Sequence, residues 1–157
     1  MIEIALAAAL VSAEPFQRQD WRYGGGSPDF VIGYDHSSIR ATGRMRALST
    51  VHVQARTTTV SGRSFDYAVF ETIIDCEART MQRRQSDFYP FNSDTPVASY
   101  VNTSGAITDR PGTPVAKLIE AVCGDRLELP MPGDRAGRNA RNFAGWYRVE
   151  LALPGSA

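Results

Sequence analysis

Apolar and polar residues alternate along much of the chain before residue 102, the period-2 pattern of strands that bury one face. Trp21-Arg22-Tyr23 and Phe30 to Tyr34 (FVIGY) predict two short strands, with Gly24-Gly25-Gly26-Ser27-Pro28 as a flexible turn between them. From Arg44 to Arg56 the alternation sets Ala47, Ser49, Val51, Val53 and Ala55 against Leu48, Thr50, His52, Gln54 and Arg56, which predicts a half-buried strand. Thr57 to Ser64 reads as a turn around Ser61-Gly62. Phe65 to Thr80 then alternates again, with Ala68, Phe70, Thr72, Ile74, Cys76 and Ala78 on one face. Thr80 to Tyr89 and Val97 to Val101 predict further strands, parted by Pro90 and the polar connection Asn92-Ser93-Asp94-Thr95-Pro96.

One segment follows the helical period instead. Val115, Leu118, Ile119, Val122 and Cys123 recur at i, i+3, i+4, i+7 and i+8, with Lys117 and Glu120 off the stripe. Thr113 is placed to cap, Pro114 stands at the first helical position, and Gly124 stands where a left-handed terminating residue belongs. Beyond it, Asp125 to Asn142 is rich in Arg, Gly and Pro, and Phe143 to Leu153 (FAGWYRVELAL) resumes an apolar pattern that predicts an extra strand near 143–153.

At the N-terminus, the run Ile4 to Val11 followed by Val11-Ser12-Ala13 predicts an export signal over 1–13. The signal is imperfect, because Met1-Ile2-Glu3 carries an acid where a positive charge is usual. Pro15 would break a continuing helix, and the polar residues after it suit an exposed segment, which weighs against a packed N-terminal element. The divisions expected are therefore a signal over 1–13, a domain over 14–124 and an Arg/Gly/Pro-rich extension over 125–157. Two cysteines, Cys76 and Cys123, make an even count, which in an exported protein reads first as one disulfide; two buried free thiols in a cytosolic protein is the alternative. They are too far apart in sequence for a CxxC redox pair.

In order and spacing, four features resemble the surface-adhesin protein E-like domain of Gram-negative bacteria. They are the early Trp21, a strand ending Tyr34-Asp35 followed by Ser38-Ile39, the pair Asp75-Cys76, and the helix entered at Pro111-Gly112-Thr113 and ending in Cys123. The resemblance runs from about Trp21 to Cys123, roughly two-thirds of the chain. It implies an α+β fold: a bent antiparallel sheet of about six strands, with one short helix on its concave face tied to the sheet by a Cys76–Cys123 disulfide. It also implies an exported, non-enzymatic binding protein, periplasmic, secreted or at the cell surface. With no cysteine at the predicted cleavage site, lipid anchoring there is not expected.

Charge narrows the partners. The chain has 17 basic and 17 acidic residues and a pI near 6.7, which removes the net positive field of a dedicated nucleic-acid binder. No run approaches the roughly 20 apolar residues of a transmembrane helix. Arginine supplies 16 of the 17 basic residues. Arg135, Arg138, Arg141 and Arg148 with only Asp134 nearby, beside Trp146 and Tyr147, suit an acidic protein or a sulfated surface, or else form a hydrated connector.

The remaining polar clusters favour structure over chemistry. Asp35, His36, Ser37 and Ser38 contain the residue types of a hydrolase triad, but strand-end neighbours point in alternating directions and suit a turn better. Two histidines, His36 and His52, with both cysteines committed, are too few for a closed zinc site, and Glu71, Asp75 and Glu77 suit a solvated face. The triple glycine lacks the marks of a phosphate loop, so no metal or cofactor is expected. The functional expectation is a protein-binding module, acting on a host, matrix or envelope partner through the sheet's outer face or an edge, with homodimerisation as one mode. A small periplasmic enzyme or ligand carrier with its site between helix and sheet is the alternative, favoured by a deep pocket there lined by His52 or Glu71.

Overall fold

The computed structural model describes residues 19–124 and 139–152, the last two as backbone only. The predicted signal segment, Arg135 and Arg138 lie outside the described residues. The alternating segments build one antiparallel sheet from β1 (Trp21–Ser27), β2 (Phe30–Asp35), β3 (Arg40–Thr42), β4 (Met45–Val60), β5 (Arg63–Asp75), β6 (Thr80–Tyr89), β7 (Ala98–Val101) and β8 (Ile107–Thr108). Its main path is β1-β2-β4-β5-β6-β7, with β3 paired to β4 and β8 to β6. Helix α1 (Pro114–Cys123) packs on β1, β2 and also β6, which lies beyond β4 and β5 in the sheet order. A sheet that meets one short helix from both sides must curl around it, so α1 occupies the concave face.

Helix α1 forms as its pattern predicts. The Thr113 side chain accepts from the Ala116 N–H, and Ala116, Leu118, Ile119 and Val122 are buried against Ile32, Tyr34, Leu48, Ile74 and Met81. Gly124 ends the helix in an extended conformation, not the left-handed one expected: the Gly124 N–H reaches back to the Glu120 carbonyl without a positive φ.

Cys76, in the turn after β5, is bonded to Cys123 at the helix C-terminus, with Cα atoms 5.6 Å apart. Tying the ends of this 47-residue separation is worth about 4 kcal/mol in the chain-entropy account. Arg79 adds a polar tie, pairing with Asp109 and lying 3.8 Å from Glu120.

The glycine segment is strand, not turn. β1 continues through Gly24-Gly25-Gly26 to Ser27, because the helix lies directly on it. A Cβ at Gly24 would stand 2.7 Å from Leu118 Cδ1, and one at Gly25 would stand 2.6 Å from the Pro114 carbonyl oxygen. The glycines are what allow backbone and helix to meet. The segment 57–64 is likewise strand on both sides of a two-residue turn, Ser61-Gly62, both at positive φ.

The predicted strand near 143–153 is instead a second helix, α2 (Ala140–Ala152). Asn139 caps it through the Asn142 N–H, and Ala140, Phe143, Ala144 and Tyr147 recur at i, i+3, i+4 and i+7. This stripe packs on the convex face against Val31, Val51, Val53, Tyr67 and Trp21. β4 is therefore buried on both faces in its middle, not half-buried: Leu48 and Thr50 point to the concave side, Val51 and Val53 to the convex.

The seat of α2 is specific. Phe143 is fully buried in the gap that Gly33 leaves, where a Cβ would fall 2.4 Å from the ring. Arg148 donates to the Gln54 carbonyl and the Thr57 hydroxyl and pairs with Asp66, filling the bulge where residues 54–57 of β4 stand out of register with β5.

Two outcomes follow from this packing. Gly33→Ala is expected to destabilise the fold by about 2 kcal/mol through overpacking, and to do so much less in a Phe143→Ala background; denaturant titration of the four chains measures the coupling. An equal cost in both backgrounds would sink the fit. Cys76→Ser is expected to lower stability by about 2–5 kcal/mol, read as the fall in the denaturation midpoint.

Candidate functional site

The structure distributes the predicted site residues differently from one another. Asp35, buried, accepts from the Asp20 N–H at 2.9 Å and from the Ser37 N–H at 3.0 Å, capping a single 3-10 turn over His36–Ser38. The Ser38 hydroxyl donates to the Asp35 carbonyl and accepts from the Ser49 N–H. These side chains fasten a turn, and the Ser38 oxygen is committed to it. Arg141, Trp146 and Tyr147 all lie on α2. Arg141 pairs with Asp94, and Tyr147 contacts Tyr23 and Phe143 at ring-centroid distances of 5.7 and 4.6 Å. Both side chains thereby help hold α2 to the sheet. Glu71 is exposed and borders a depression of about 270 Å³ shared with Arg40 and Arg84.

The larger concavity is one that composition and motif did not single out, although His52 borders it. α1 covers only part of the concave face. Thr50 and Thr72, buried and hydrogen-bonded to each other at 2.8 Å, lie on the same face between the helix-covered core and the remainder. Beyond them a groove of about 390 Å³ opens over the other end of β4, β5 and β6. Its floor is Ala68, Phe65, Phe70 and Phe88, and its rim is Asn102, Ser104 and Gly105 between β7 and β8, with Ile107 at the start of β8. Register explains the convergence. His52 opposes Ala68, which opposes Phe88, while Phe70 opposes Ser86, so alternate residues of three strands point the same way.

Two polar side chains distinguish this groove. Arg83 stacks its guanidinium 4.2 Å above the Phe70 ring centre. His52 sits edge-on to Phe30 at 4.3 Å, with its Nε2 buried and lacking a hydrogen-bond partner among the described residues. Asn102 closes the rim by donating its side-chain amide to the Ser86 hydroxyl, while its backbone N–H donates to the Arg84 carbonyl at 2.7 Å. Burial lowers the Arg83 pKa from its ordinary value. No carboxylate lines the groove among the described residues. Nor, among them, do three or more His, Cys, Asp or Glu side chains gather as metal ligands, and no helix is long and apolar enough to cross a membrane.

Comparison with known proteins bears on the whole domain. The family model for surface-adhesin protein E matches residues 21–124. Among solved structures the chain is similar to the crystal structure of protein E from non-typeable Haemophilus influenzae, at 12% identity and a TM-score of 0.43, covering 78% of this chain and 82% of that one. No curated protein matches the chain.

Burial, with the Arg83 charge nearby, lowers the His52 pKa from the ordinary 6.5 to about 4. The unfolded chain therefore takes up a proton at this residue as pH falls through 6.5, while the folded chain resists until about 4. Stability is lost across that window by about 2–3 kcal/mol. His52→Leu is expected to flatten the fall in unfolding midpoint between these pH values. An unchanged acid slope would remove His52 as its source.

Proposed function

Because the chain belongs to the surface-adhesin protein E family, we propose that it is a non-enzymatic exported module that attaches the bacterial envelope to a protein partner through its β7 edge. Membership in this family implies an exported, cell-surface protein with adhesin-like character. The finer reading adds the surface and the class of partner, a host or matrix protein or another component of the envelope.

The observation that carries it is the composition of one sheet edge. β7 is the last strand of the main path, and among the described residues no strand pairs with its outer side. Val101 is 79% exposed and Tyr100 40%, on a strand whose outer side no described strand covers. Apolar side chains beside an unpaired edge suit addition of a partner's strand, in which backbone hydrogen bonds give affinity and side chains give selectivity. The non-enzymatic reading is supported by the family and by the groups at hand: the Ser38 hydroxyl is committed to its turn and the His52 Nε2 is buried. An acidic or sulfated partner for the C-terminal arginines rests on Arg135 and Arg138, since Arg141 is already paired.

Biolayer interferometry of the oxidised protein tests this against immobilised matrix proteins, envelope proteins and heparin, with sedimentation to register self-association. Saturable binding to a protein is expected, weakened at least about tenfold by Tyr100→Ser with Val101→Glu, with circular dichroism unchanged. Binding that survives the double change would move the interface away from β7. Heparin as the sole ligand would favour the arginine-rich extension, and self-association as the sole event would replace the heterologous partner with a second copy.

A further inference from the structure

Arginine is abundant in this chain, and all but one of the described arginines fall into three groups. Arg22, Arg44, Arg79, Arg141 and Arg148 pair with carboxylates, while Arg40, Arg46 and Arg63 donate to carbonyls. Arg56, Arg84 and Arg110 make none of these contacts, but they are exposed and solvated. Arg83 fits none of these descriptions. Its side chain is partly buried and neither hydrogen-bonds nor ion-pairs with a described residue; its contact is the Phe70 ring.

Stacking covers one face of the guanidinium. Its N–H donors lie in its plane and point outward from its edge, so the ring contact leaves them unused. A partly desolvated cation without a counter-charge is costly to keep, and here it borders a groove of about 390 Å³, a size within the roughly 300–1,000 Å³ range of small-ligand sites. We propose that this groove binds a small organic carboxylate, whose charged end pairs with Arg83 and whose apolar body lies on the floor of Phe65, Phe70 and Phe88.

The chemistry of the lining selects that class. Arg83 is the one cation among the lining residues, and Ser86 and Asn102 are already engaged with each other, so the site matches a monoanion better than a phosphate dianion. His52 stays neutral near pH 7 and contributes ring surface. The aromatic floor favours burying a hydrocarbon body over a fully hydrated ion. This site goes beyond the adhesive reading, which uses the outer edge of β7.

Two-dimensional NMR of the labelled, oxidised protein with 3-phenylpropanoate, octanoate, 3-phenylpropanamide and inorganic phosphate tests it. The expected result is saturable binding of a carboxylate, with shifts at the Arg83 side chain, Ser86, Asn102 and the floor. The neutral amide should bind at least about tenfold more weakly, and so should the acid to Arg83→Gln. Comparing the two carboxylates separates an aromatic from an aliphatic body. Equal binding of acid and amide, equal binding to Arg83→Gln, phosphate binding as tightly as the carboxylates, or no saturable shift with either acid would each overturn the proposal. The amide comparison needs no variant, so it stands even if Arg83→Gln fails to fold. The Val101→Glu chain, which leaves the contact of Tyr100 with Phe88 intact, should keep its carboxylate affinity, which separates failure here from failure of the β7 reading.

Discussion

A single sheet has two faces, and an apolar face left in water forfeits the burial that drives folding. The packing of Leu118 and Ile119 into the curled side is the contact around which this fold is arranged. Both are fully buried, and their approach sets the demands on their neighbours. β1 must be glycine where the helix touches it, the strands must bend so that β1 and β6 both reach α1, and the helix end must be held at the turn after β5. The disulfide and the Arg79 contacts answer the last demand at the same end of the helix.

The convex face is solved separately and by different chemistry. There Phe143 occupies a gap that Gly33 leaves open, and aromatic contacts run from Trp21 through Phe143 and Tyr147 to Tyr23. Arg148 supplies donors to a stretch of β4 whose register with β5 is broken. The two helices therefore do unlike work: α1 is cross-linked to the sheet, whereas α2 is held by fit and by guanidinium contacts.

How much of this was legible follows from how local each signal is. The strands and α1 were readable because alternation and capping are properties of short windows, and Thr113, Pro114 and the apolar stripe all lie within one. The α2 stripe of Ala140, Phe143, Ala144 and Tyr147 was equally local. The β-favouring aromatic and branched residues of 143–153 outweighed it, because Arg141 and Arg148 interrupt the pattern and only tertiary contacts show why they belong on that helix. The glycines of β1 were misread for a related reason: what makes them glycine is a helix some ninety positions away. The groove was illegible because it is a meeting of residues. His52, Arg83 and Asn102 each look ordinary in their own strand or loop, and only the register of three strands and the partial cover by α1 bring them to one opening. The turn at Asp35 was the opposite case, since Asp and Ser bonding to nearby backbone is a local habit.

The covalent link between Cys76 and Cys123 has one more effect, on the chain's fate outside the cell. It encloses β6, β7, β8 and α1 in one closed loop, together with the exposed connections around Asp94 and Ser104. A protease that cuts either connection leaves both fragments tethered, and the strand pairing on each side of the cut remains in place. For an exported, cell-surface protein, a nick in the groove rim or beside the β7 edge is then a scar and not an amputation.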